Sequence, residues 1–395
     1  MEKMSRTNTI KLVSLAYCLT FVTGIGVILP FVLKVPAAQF FHSNPATLGY
    51  AFSAFMVGML LMEFLNGYLV EKLSVRTEII AIAVIYAICG VTLLWVKSIW
   101  LLAVVEFIMG LCFGANVTLP NFMIVHSFDK SSRSSHLNRL DFFFSLGSFI
   151  YPMIAAYMLT HHCDWQWVYL SVVAIFLVIV ILAMRTKLPN LNTADVGADV
   201  KKFSRWNLNV YLIALVIFFF LASYIGFTYW VVEYSEKILH LKTAEASLGL
   251  TLFWIFYAVG CFISSILIKK IRISRYIIIS GIIAFISYFL ILKSANAAMF
   301  WVSISVLGLG CATIYSSSIS FGTLQVENAS PRMVGLFVTA SGVGTMLAEV
   351  FSSFIESNFG LSSVIIVSAG LMLICTILTG IVSTRDKSLG RVEAV

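Results

Sequence analysis

Twelve long apolar runs separated by short polar turns constrain this chain more than any other feature of its sequence. They fall at about 10–33, 46–70, 78–96, 100–126, 139–160, 167–184, 208–232, 245–268, 276–293, 298–321, 334–356 and 362–383. A bilayer's hydrocarbon core is about 30 Å thick and an α-helix rises about 1.5 Å per residue, so a run of about 20 residues crosses it once. A β-barrel would instead show short segments of alternating hydropathy. With 60% hydrophobic and 11% charged residues and a mean hydropathy of +0.98, the chain reads as an all-α integral membrane protein. The first run is long and lacks a small-residue cleavage site, so it is expected to stay as an anchor.

Charge gives an expected orientation. If the amino terminus is cytoplasmic, only Lys34, Lys97, Lys237, Lys242 and Lys293 face the other side, leaving 21 of the 26 basic residues on cytoplasmic segments. An even number of spans then puts both termini inside. The formal charge of +8 follows from this topology and points to no nucleic-acid partner.

The longest polar stretch divides the chain. Arg185 to Arg205 combines Pro, Asn, Asp and Lys without apolar periodicity, so residues 185–207 read as a cytoplasmic linker between two six-helix bundles, 1–184 and 208–395. The fourth run of each half begins Gly-Leu and continues with small and polar residues: GLCFGANVTLPN from Gly110 and GLGCATIYSSSI from Gly308. The following loops also correspond, Asp129 to Arg133 with Glu327 to Arg332. A duplicated unit of this kind places a solute site near mid-membrane between the halves.

Between the second and third runs lies MEFLNGYLVEKLSVRTE, Met62 to Glu78. Its Gly67, Leu69, Glu71, Lys72, Ser74 and Arg76 read as G-x-L-x-[DE]-[KR]-x-[GS]-x-[RK]. This resembles the loop between helices 2 and 3 of the major facilitator superfamily. Three longer segments extend the likeness over nearly the whole chain: Asp141 to Leu159 with Trp165, Trp167, Val168 and Tyr169; Gly226 to Tyr234; and Ser330 to Leu347. They are similar to the TsgA-type branch of that superfamily and, more distantly, to the fucose-permease group of sugar:proton symporters. The resemblance implies the major facilitator fold, with twelve transmembrane helices alternating between inward-open and outward-open states. Some features depart from superfamily patterns. Helix 4 lacks a buried arginine, Gly147 and Pro152 are not adjacent, and the second-half counterpart of the loop has become IKKIRISR from Ile268, without an acid.

An ionisable side chain at the bilayer centre costs about 3 kcal/mol on insertion scales, so such groups must face a cavity or a partner. Glu106, Glu349 and Glu63 are therefore proton-coupling candidates. For Glu106 a cavity carboxylate and one satisfied by a neighbouring helix stand equally. Glu349 continues a stripe with Ser341 and Thr345 that fits either a wet path or a helix–helix seam. Asn116 and Asn121 flank Pro120, which removes a backbone donor; kink repair and solute contact both fit. With Tyr224, Tyr229, Trp230, Trp254, Tyr257, Tyr315, Ser316 and Thr345 they form the expected solute set, although Trp230 also suits an interfacial belt. Gly67, Glu71, Lys72, Arg76, Asp141 and Arg332 are expected at gates, with Asp141 placed at the start of helix 5, where a helix amino terminus favours an acid.

No cofactor and no metal site is expected, because cysteines and histidines show no ligand spacing, and no nucleotide loop or Ser-His-Asp grouping points to an enzyme. The expected protein is a monomeric secondary transporter in a bacterial inner membrane. It would move a small polar, sugar-like solute with protons by symport. A proton-driven exporter of a larger metabolite or drug, and a membrane sensor without flux, remain as alternatives.

Overall fold

The computed structural model describes residues 6–43, 45–189, 206–241, 243–268 and 270–385. Thirteen α-helices follow in order: α1 (Arg6–Phe40), α2 (Pro45–Leu69), α3 (Val75–Leu93), α4 (Ile99–Ser127), α5 (Lys130–Thr160), α6 (Trp165–Met184), α7 (Leu208–Lys237), α8 (Thr243–Leu267), α9 (Ile273–Leu292), α10 (Ala297–Cys311), α11 (Ile314–Leu324), α12 (Pro331–Phe359) and α13 (Leu361–Arg385). Among the described residues they make twelve stretches long and apolar enough to cross a membrane, with α10 and α11 sharing Ala297–Leu324. The sequence fixes several ends by capping. Ser74, Asn207, Asn296 and Ser330 each accept a hydrogen bond from the backbone N–H three residues on, and Pro331 follows Ser330 where its missing donor costs nothing. Gly360, at φ 81°, turns the chain between α12 and α13.

Several boundaries differ from the apolar runs, with α1 reaching Phe40 and α7 reaching Lys237, and two of the differences bear on the site. The fifth helix starts at Lys130, about nine residues before the run that marks it, because its polar first turns are covered by protein rather than lipid. The tenth span is broken: α10 ends at Cys311 and α11 begins at Ile314, with Ala312 and Thr313 between. The break needs partners, since irregular backbone at membrane depth is tolerated only where protein satisfies it. Cys261 of α8 donates its S–H to the Ala312 carbonyl at 3.0 Å, and the Thr313 hydroxyl donates to Ser280 of α9 at 2.9 Å.

The helices cluster into two units, Met1–Ser127 with Phe143–Val200, and Phe128–Phe142 with Lys201–Val395. The first turns of α5 thus belong with the second unit, and the remainder of that helix with the first. Of the expected linker 185–207, residues 190–205 lie outside the described residues.

In the first unit α2 and α4 pack backbone to backbone. A side chain at Gly110 would strike the Phe55 carbonyl, one at Gly114 the Met59 carbonyl, and one at Gly58 the Phe107 carbonyl. Small residues allow such contact where lipid provides no hydrophobic drive between helices. Exposed Ile88 on α3, Val104 on α4, Ile266 on α8 and Ile283 on α9 suit acyl chains.

Gly110→Ala should therefore overpack the seam at a cost of about 1–3 kcal/mol and lower the thermal midpoint of the purified protein. Gly370→Ala, where nothing lies within 4 Å, should leave it unchanged; equal midpoints for the two variants would refute the close approach.

Candidate functional site

The second unit gathers polar groups around one buried carboxylate. Asp141 is three turns inside α5, so the amino end of its own helix does not explain it, contrary to the placement expected from the sequence. It meets the start of a different helix. Ser316, in the first turn of α11, brings its hydroxyl within hydrogen-bonding distance of Asp141 Oδ2 and turns its backbone N–H toward the same carboxylate. The first N–H groups of a helix have no internal partner, and an anion satisfies them. The break between α10 and α11 is what exposes that helix end inside the membrane span.

Aromatic rings surround this point. Tyr224 of α7 lies 6.1 Å from Tyr257 and 6.4 Å from Trp254, both of α8, and Trp254 lies 5.7 Å from Tyr257. Asp141 is within electrostatic reach of Tyr224 and Tyr257, and Tyr224 within reach of Tyr315 on α11. Tyr224 and Tyr257 are buried; Trp254 and Tyr315 are half-buried. Five residues of the expected solute set, Tyr224, Trp254, Tyr257, Tyr315 and Ser316, thus belong to one cluster with Asp141. Faces of this kind stack on apolar sides of a solute while hydroxyls and a carboxylate fix its polar groups.

The remaining members of that set lie elsewhere. Trp230, two turns along α7 from Tyr224, donates its indole N–H to Ser352 of α12 at 3.0 Å, and its neighbour Tyr229 is exposed. Thr345 is half-buried on α12. In the first unit, Asn116 donates to the Leu19 carbonyl and to the Thr23 hydroxyl, both at 2.8 Å, tying α4 to α1. Asn121 donates to the Val117 carbonyl of its own helix at 2.9 Å. The carbonyl that Pro120 leaves without its usual donor is that of Asn116, and the Thr23 hydroxyl lies 3.5 Å from it, an arrangement suited to repairing the kink.

The expected coupling acids separate in the same way. Glu106 is fully buried, and Tyr169 of α6 donates its hydroxyl to Glu106 Oε1 at 2.6 Å. The Tyr86 hydroxyl of α3 donates in turn to the Tyr169 carbonyl at 3.2 Å, and Glu106 Oε2 has no protein partner. Glu63 is buried on α2 with Oε2 unpartnered; one turn on, Asn66 donates to Thr118 of α4 at 2.6 Å. Glu349 lies outside the residues whose side chains are described. Glu78 had not been singled out. It is buried, with the Asn66 side chain beside its carboxylate. Its signal was available in the sequence: Ser74 caps α3, so Glu78, four residues on, lies inside the helix rather than in the charged turn.

Among the expected gate residues, Arg76 donates to the carbonyls of Ala183 at 3.3 Å and Thr186 at 2.9 Å, holding the carboxyl end of α6, where a cation complements the helix dipole. Glu71 and Gly67 are buried, Lys72 is exposed, and Arg332 is exposed at the start of α12.

Twelve apolar spans, one of them broken beside a buried carboxylate, are the features of a polytopic membrane protein. The sequence model of the Major Facilitator Superfamily matches residues 15–330 and again 239–393, and the chain belongs to that family of secondary transporters. It is 27% identical over 377 residues to the protein TsgA homolog of Yersinia pseudotuberculosis serotype O:1b (strain IP 31758), covering 95% of each chain. Among solved structures it is similar to FucP in the outward conformation, with a TM-score of 0.78 at 18% identity over 94% of this chain and 98% of that one. The proton:xylose symporter XylE gives a TM-score of 0.76 at 13% identity over 95% of both chains. These likenesses share the fold, and the family is one of transporters rather than enzymes.

Tyr169→Phe should destabilise the protein by about 1–3 kcal/mol, because it strands a buried carboxylate oxygen. Adding Glu106→Leu should recover part of that loss in thermal unfolding, whereas additive losses would show that the pair is not coupled.

Proposed function

We propose that this chain is a proton-coupled symporter of a small polar organic solute, in the sense of a sugar or sugar-like molecule. The observation that carries the reading is the hydrogen bond of Ser316 to the buried Asp141, with Tyr224 and Tyr257 within its electrostatic reach and Trp254 and Tyr315 beside those rings. FucP, a fucose:proton symporter, and XylE, a proton:xylose symporter, share the fold and support the choice of solute class. The protein works as a monomer in a bacterial inner membrane, a location supported by its bacterial relatives. Both termini are cytoplasmic, on the distribution of Lys and Arg in its turns.

In this reading the two bundles, divided at residues 185–207, rock about the bound solute, and each compartment reaches the site in turn. Glu106, Glu349 and Glu63 are acids through which the proton could be held. Thr345, Tyr229, Trp230, Asn116 and Asn121 extend the solute path. Gly67, Glu71, Lys72, Arg76 and Arg332 belong to the elements that change accessibility.

Purified protein in proteoliposomes should accumulate a neutral monosaccharide when the outside is made acid and stop when the gradient is collapsed by a protonophore. Fucose and xylose are the first solutes to try within a wider panel of sugars and polyols. Tyr257→Phe and Trp254→Ala should each reduce uptake about 10-fold or more, the loss expected for one buried contact worth 1.4 kcal/mol or more. Absence of gradient-driven uptake across the panel, with the protein folded and inserted, would overturn the reading.

A further inference from the structure

The hydroxyl of Ser316 has two oxygens to serve and one hydrogen to give. Its Oγ lies 2.9 Å from the carbonyl of Leu137 and within hydrogen-bonding distance of Asp141 Oδ2. A carbonyl only accepts, so when Ser316 donates to Leu137 the hydrogen in the other contact must come from Asp141. When Asp141 is ionised it can only accept, and Ser316 must turn to it and leave the carbonyl. An ionised Asp141 therefore draws the Ser316 hydroxyl to itself, whereas a proton on Oδ2 frees that hydroxyl for the Leu137 carbonyl.

We propose that Asp141 is the proton-binding group of the solute cluster, and that Ser316 reads its state by switching one hydrogen bond between the side chain and the backbone of α5. The inference rests on the symport reading for its place in transport, and on the geometry of α5 and α11 for the proton itself. The proton comes from water and returns to it. The bond made and broken is O–H at Asp141 Oδ2, and nothing is oxidised or reduced.

The surroundings suit this task. Asp141 meets Ser316 of α11 and lies within electrostatic reach of Tyr224 of α7 and of Tyr257 and Cys261 of α8, with Tyr315 within reach of Tyr224. The two arginines earlier on α5 are directed to other groups: Arg139 donates to the Ser265 hydroxyl at 3.4 Å, and Arg133 to the Thr323 hydroxyl at 2.9 Å and the Phe128 carbonyl at 3.4 Å. Ionised, Asp141 is an acceptor only and favours a solute that donates hydrogen bonds. Protonated, it is itself a donor, and the cluster loses a negative charge. One proton thus changes both the charge and the donor pattern that a solute meets, which is the differential interaction that coupling requires. Glu106 has no such arrangement, because its partner Tyr169 can go on donating to it in either state.

The test uses the proton as the ligand. Infrared difference spectra of the full-length protein in lipid nanodiscs, stepped from acid to alkaline pH, should contain a carboxylic-acid C=O band that disappears in Asp141→Asn and survives in Glu106→Gln. Asn can donate to Ser316 as protonated Asp does, so Asp141→Asn should keep its thermal midpoint while losing solute accumulation driven by a pH gradient. Ser316→Ala should move the band, and Ser316→Thr should restore it. A band that persists in Asp141→Asn overturns the proposal, as does one unmoved in Ser316→Ala if the Asn variant does not fold. The spectra need no transported solute, so failure of the flux assay alone would count against the symport reading and leave the assignment of the proton standing.

Discussion

In the hydrocarbon of a bilayer no water is available to satisfy a polar group, and this one constraint governs how the chain is arranged. It makes each span a helix, because only a helix closes its hydrogen bonds within itself. It also means that an exception has to be supported from neighbouring helices. At Ala312 and Thr313 the tenth span gives up its continuity, and Cys261, Ser280 and Asp141 take over groups that a helix would otherwise have satisfied. The cluster around Asp141 lies beside this break, and Asp141 belongs to both.

The buried acids illustrate two ways of meeting the same cost. Glu106 is tied to Tyr169 in a seam among α3, α4 and α6, where a single donor meets one oxygen and the rings of Tyr86, Phe113 and Phe176 fill the surroundings. Asp141 faces the open end of a helix and a hydroxyl that can turn. The first arrangement suits permanence; the second leaves room for change. Glu63 lies one turn before Asn66 and Glu78 beside it, near the Asn66 and Thr118 contact that joins α2 to α4, and together they mark a second polar locus in the first unit.

The spans were legible because their signal is length and hydropathy, and both survive without tertiary information. The cluster near Asp141 was partly legible for a related reason: Tyr224, Tyr257, Tyr315 and Ser316 are polar groups in apolar runs, and lipid cannot accommodate them. Their meeting point was not. Lys130 to Asn138 is rich in Ser, Arg and His and so reads as loop, although Ser134, Ser135, Leu137 and Asn138 are buried against protein. That error in the start of α5 made Asp141 look like a residue at a helix end. The break in the tenth span lacks a proline or glycine at its two linking residues; it is imposed by α8 and α9, which no local pattern reports. Glu78 was hidden by the charge of the turn before it.

The glycine seam between α2 and α4 has a thermal consequence. Its contacts are carbonyl against Cα, held by dispersion and dipoles in a medium as oily as the residues themselves, so little hydration change accompanies their loss. Soluble cores owe the curvature of their stability to the large heat capacity of exposing apolar surface to water. Helix association in this bundle lacks most of that source, and its strength should vary gently from cold to warm, so that a shift in ambient temperature reaches the carrier mainly through the fluidity of the surrounding lipid.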